Sequence, residues 1–174
     1  METNREKEAM PKYVPNKKAE LLPLDNYLAT IEGSIGSEMF RRLYAKGADG
    51  PQDLLDNGLK SCAFFVSTVL SMPNFALLAF PNATVVGLMR SLETKGWKKI
   101  DQPSKPGQIL IWENMKQADG AEHLHAGFFW GESEAISHVD STRTPQKHHL
   151  TFGVNEDGTP KRKIIAVYTH EFLK

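Results

Sequence analysis

Ala126-Gly127-Phe128-Phe129-Trp130, then Gly131-Glu132-Ser133, then Glu134-Ala135-Ile136-Ser137-His138-Val139: the reading of this run decides the architecture. Two β-prone runs flank a short connection that opens on glycine, which is the signature of an antiparallel hairpin. Outward from it, Gln108 to Trp112, His149 to Phe152 and Lys163 to His170 have the same character. Asn155-Glu156-Asp157-Gly158 marks a further turn. The N-terminal half is helical in pattern instead. Helices followed by a meander of strands predict an α+β fold with an antiparallel sheet of about five or six strands.

Upstream, Leu24 to Lys46 shows helical spacing through Tyr27, Leu28, Ile31, Ile35, Met39, Phe40 and Leu43. Gly33 and Gly36 divide it into two helices or kink one. Gly47 reads as its C-cap, and Gln52 to Asn57 as a short helix ended by Gly58. Ser61 reads as the N-cap of Cys62-Ala63-Phe64-Phe65-Val66-Ser67-Thr68-Val69-Leu70, a run that is apolar nearly all round and stops before Pro73. That pattern predicts a buried central helix, with a buried strand as the competing reading. A further helix is expected from Ala83 to Lys95, with Asn82 as N-cap and Gly96 as its stop.

The chain has 174 residues, of which 40% are hydrophobic and 24% charged, as in an ordinary globular protein. Residues 1–22 are polar and read as a flexible tail, leaving 23–174 as a single domain. Lys+Arg and Asp+Glu both number 21, a balance that argues against a nucleic-acid partner. The most apolar stretch, Phe75 to Met89, is broken by Pro81 and Asn82 and falls short of the ~20 residues of a membrane span. Met1 to Glu8 has no apolar core, so no signal peptide is visible and a cytoplasmic protein as synthesised is expected. A route outward would then need lysis or a dedicated exporter. A monomer is expected.

One cysteine, Cys62, excludes an intramolecular disulfide and a Cys-rich zinc site. At the first turn of a buried helix its sulfur meets unpaired backbone N–H groups and the positive end of the helix dipole, which favour a thiolate and an oxyanion. A nucleophilic cysteine needs a histidine base oriented by a third polar group. His125 immediately precedes the first hairpin strand, and His138 lies on the second, so the two meet at the far end of the hairpin. His138 is expected to bond the second nitrogen of His125; Ser137 or Asp140 takes that place if the register shifts by a residue or two.

Four segments resemble the NlpC/P60 and CHAP group of papain-like hydrolases: Ser61 to Val66 its cysteine helix, Pro106-Gly107-Gln108-Ile109-Leu110-Ile111-Trp112 its Pro-Gly strand, His125 to Gly131 its His-x-Gly strand, and Ala135 to His138 the place of its third polar residue. The likeness runs roughly from Leu54 to His170. It departs from the family in having Ser61-Cys62-Ala63-Phe64 for the usual Asp-Cys-Ser-Gly, and Gln108 for an acidic residue. The resemblance implies a papain-like fold and a cysteine peptidase or amidase, with Cys62 as nucleophile, His125 as base and His138 as the third residue. It also implies a peptide or peptidoglycan-fragment substrate and no cofactor. Ser61 and Trp130 are candidate substrate-binding residues.

Three rival readings stand beside it. His123 and His125 share a strand face and, with Glu122, Asp119, His148 or His149, form a candidate zinc-hydrolase site. A non-catalytic binding module would keep the fold and bury an inert Cys62. An acyltransferase would keep the cysteine chemistry, although the order of Cys before His argues against it.

Overall fold

The apolar run after Ser61 is a helix, as expected: α2, Cys62–Leu70, buries Ala63, Phe65, Val66, Ser67, Val69 and Leu70. The computed structural model describes residues 20–116 and 120–174. Most of the expected tail therefore lies outside the described residues, as does Asp119. The remaining helices are α1 (Pro23–Gly33) and α3 (Val85–Thr94). The strands are β1 (Tyr44–Gly47), β2 (Gly50–Asp53), β3 (Lys98–Ile100), β4 (Ile109–Lys116), β5 (Glu122–Gly131), β6 (Glu134–Val139), β7 (Thr144–His149) and β8 (Ile164–Thr169).

β3 to β8 form one antiparallel sheet of six strands in the order β3-β8-β4-β5-β6-β7. The fold is thus α+β, with helices against one face of the sheet. Ile109, Ile111, Ala126, Phe128, Ile136 and Tyr168 join the helices in the main core. On the other face Leu110, Trp112, Phe129, Ala135 and Val167 make a smaller cluster under the loop that carries Leu150 and Phe152. Tyr27 ties α1 to this frame: its hydroxyl donates to the Gly107 carbonyl at 2.8 Å, and its ring makes edge contacts with Phe75, Phe128 and Phe172.

Several local expectations are corrected. No second helix follows α1 before β1. Gly36 takes a left-handed φ of 77° and its N–H bonds the Pro145 carbonyl, so the chain leaves the helical path there. Residues 44–53 form the β1–β2 hairpin rather than a helix end and a short helix. The Asp53 carboxylate holds its exit by accepting the N–H groups of Leu43, Leu55 and Asn57. Thr84, not Asn82, caps α3, its hydroxyl accepting from Gly87 N–H at 3.1 Å. The strand expected at His149 to Phe152 lies earlier, at β7, a polar edge strand that tolerates Pro145 because no strand among the described residues pairs with its outer side. Lys98–Ile100 is a further edge strand that the sequence reading passed over.

Candidate active site

Cys62 is the first residue of α2, and the helix points it at β5. Its sulfur accepts hydrogen bonds from the backbone N–H groups of Ala63 and of Ala126, the residue that follows His125. The side chain is half-buried and lines an open groove of about 610 Å³. Leu54, Ala83, Val85, Val86 and Leu124 give that groove apolar walls, and Lys60, Glu122 and His123 stand at its polar side.

His125 belongs to the same peptide unit as the Ala126 N–H. Strand alternation sends Ala126 into the core beneath α2, while the imidazole of His125 packs on Trp112 and Phe152, with ring centroids 5.5 Å away in each case. The sulfur and the imidazole are therefore tied to one peptide unit, that of His125 and Ala126. His125 is 3% exposed; its Nε2 lies 2.8 Å from Ser137 Oγ, and its Nδ1 is buried with no hydrogen-bond partner. Ser137 Oγ continues to His148 Nε2 at 2.7 Å.

The side chain that holds the His125 imidazole is Ser137 and not His138. The hairpin pairs Gly127 with Ser137 and Phe128 with Ile136. Ser137 is then the diagonal neighbour of His125 on one face, and His138 falls on the face toward α2. Neither ring nitrogen of His138 makes a hydrogen bond. The side chain of Ser61 caps nothing: its Oγ is buried and unpartnered, outside the groove walls. Trp130 packs on the main core with Lys147 over its ring, also outside those walls.

The electrostatics differ from the expectation of a preformed thiolate. Burial pushes the Cys62 thiol up, beyond what the two N–H bonds and the Arg162 guanidinium restore. Burial also holds His125 well below the ordinary imidazole value, and Arg162 adds repulsion. Both shifts favour the uncharged form of the group concerned. Arg162 is itself buried, donating to the carbonyls of Glu113 and His123. Nothing in Lys161-Arg162-Lys163 distinguishes it in the sequence.

His123 and His125 do not share surroundings. A bulge on β4 sets Trp112 opposite His125 but Met115 opposite His123, so His123 turns to the groove. Among the described residues no group of three His, Cys, Asp or Glu side chains is arranged to hold a metal, and His148 is engaged by Ser137. Among them, too, no helix is long and apolar enough to cross a membrane.

His138 gives an independent readout. Burial, then repulsion from Arg41, lowers its pKa from 6.5 to about 4, and the backbone of Arg143 offsets this only in part. The unfolded chain binds this proton first, so stability present above pH 6.5 is lost as pH falls towards 4. Between pH 7.5 and 5 the loss from this residue is about 2 kcal/mol. His138→Leu, which removes two unsatisfied nitrogens, should show a drop in urea-unfolding free energy smaller by that amount. An equal drop in both proteins would contradict the assignment.

No family model matches the chain, and a search of the curated proteins finds no match.

Proposed function

We propose that this protein is a papain-like cysteine hydrolase that cleaves amide bonds through a thioester on Cys62, with His125 as general base and Ser137 holding the imidazole. The observation that carries the reading is the shared peptide. Cys62 Sγ is bonded to the N–H that follows His125, while His125 Nδ1 is buried and unpartnered and Nε2 is held by Ser137.

No sulfur–imidazole hydrogen bond is formed in the resting state, and such bonds often tighten only when substrate binds. The thiol proton passes to His125 Nδ1 as the sulfur attacks the amide carbonyl. The oxyanion is met by N–H groups of the first turn of α2, which have no carbonyl partner within the helix. The imidazolium returns its proton to the departing amine as the C–N bond breaks. Water then attacks the thioester, giving one proton to Nδ1, and the thiolate leaves and recovers it. The apolar groove walls suit an uncharged side chain next to the scissile bond, and Lys60, Glu122 and His123 meet its polar flank. A peptide or a peptidoglycan fragment fits that mixture.

The test is alkylation of the intact protein with iodoacetamide across pH 6–10, followed by intact-mass trapping of an acyl-enzyme from a peptidoglycan digest and a peptide-amide panel. The raised thiol predicts slow labelling at pH 7 and a midpoint above the ~8.5 of a free cysteine. A midpoint near 6 would mean an ion pair. A thiol that resists reagent at every pH in the folded protein would end the reading.

A further inference from the structure

We infer that His148 is a positioning residue that fixes the tautomer of His125 through Ser137, leaving Nδ1 of His125 as the bare, proton-accepting nitrogen. The assignment follows from counting protons along one chain of contacts. His148 Nδ1 lies 2.8 Å from the His149 carbonyl, which only accepts, so Nδ1 of His148 carries hydrogen. A neutral His148 then has a bare Nε2, and burial keeps this imidazole below its ordinary pKa. That Nε2, at 2.7 Å, accepts the hydroxyl hydrogen of Ser137. Ser137 has no second hydrogen to offer. At 2.8 Å from His125 it must accept, so His125 carries its proton on Nε2. A neutral His125 is left with a lone pair on Nδ1, the nitrogen with no partner.

The register makes this path. Ala135 pairs with His148 and Gly127 with Ser137, so His125, Ser137 and His148 lie on diagonals of one face across β5, β6 and β7. Phe152 stacks on His148 at 4.1 Å with a 21° interplanar angle and also packs on His125, which holds both rings in place. Without His148 the hydroxyl of Ser137 is free to turn and donate to His125 Nε2. That would move the imidazole proton to Nδ1 and remove the base.

The kinetic consequence rests on the function proposed above, whereas the tautomer does not, and the two are read separately. Ring ¹⁵N shifts of His125 in the full-length, ¹⁵N-histidine-labelled chain at pH 7.5 should show the Nε2–H form. His148→Phe, which keeps the stack on Phe152 but removes the acceptor, should shift His125 towards Nδ1–H. It should also lower kcat by about tenfold to a hundredfold with KM nearly unchanged. His148→Gln, which restores an acceptor, should return the Nε2–H signal. Should His148→Phe fail to fold, Ser137→Ala gives the same readout with a smaller change. The inference is overturned if the wild-type protein shows Nδ1–H, or if its signal is unmoved in both variants. A wild-type Nε2–H signal that shifts in the variants, in a protein that hydrolyses nothing, would uphold the relay and refute the hydrolase.

Discussion

Cys62→Ala should reduce amide hydrolysis by about 10⁴-fold or more while leaving unfolding by urea nearly unchanged. The size follows from the covalent route: with no sulfur there is no thioester, and only the oxyanion donors and substrate binding remain. The small structural cost follows from position. Cys62 is half-buried at the helix start and borders an open groove, so losing one sulfur atom opens no sealed cavity. Cys62→Ser should be nearly as inactive, because an imidazole whose pKa is held low by burial is a weak base for a hydroxyl, which is far less acidic than a thiol. Initial rates against a trapped substrate, with denaturation curves on the same samples, check both halves. A fully active Cys62→Ala protein would transfer the chemistry to another group.

The second large effect concerns stability. Gly127→Ala should cost about 3 kcal/mol or more, a large share of the 5–15 kcal/mol by which such domains are stable. A Cβ at this position would lie 2.7 Å from the Ile136 carbonyl oxygen, 2.7 Å from Ser137 Cβ and 3.1 Å from the Trp112 ring. Two of those neighbours are the backbone of β6 and the β-carbon of the residue that holds His125, and neither yields as the tip of a flexible side chain does. Relief requires β6 to move away from β5, which lengthens the 2.8 Å contact between Ser137 and His125. The variant should therefore melt roughly 10 °C lower and lose more activity than its remaining folded fraction explains. Calorimetry and rate per folded molecule test this. A protein as stable as wild type would show that the hairpin tolerates separation.

The parts legible in the sequence are those where one local signal dominates. The all-round apolar run after Ser61 gives α2, and the Gly131-Glu132-Ser133 turn gives the β5–β6 hairpin. Cys62 and His125 follow from those two elements. The choice between Ser137 and His138 was not legible, because strand parity turns on a single residue of register and both flank the right position. The role of His148 was hidden for a different reason. β7 is Thr-Pro-Gln-Lys-His-His, polar and at the sheet edge, so no apolar alternation marks it as a strand. Its histidine is brought to Ser137 by pairing alone. Ile35, Met39, Phe40 and Leu43 fall at helical spacing and so hide the β1–β2 hairpin that follows them, although Phe40 alone of these is fully buried. The raised thiol was also beyond reach, since helix position is local and burial is a property of the assembled fold.

The bulge between Trp112 and Met115 has a bearing on how such a site diversifies. It divides β5 at His125. On one side Gly127, Phe128 and Phe129 are clasped by β4 and β6, and this half sets the proton path. On the other, Glu122 and His123 pair with β4 and line the groove together with its Asn114. Under the proposed hydrolase reading, recognition and reactivity occupy separate halves of one strand, so that what the groove accepts can change without rebuilding the proton path.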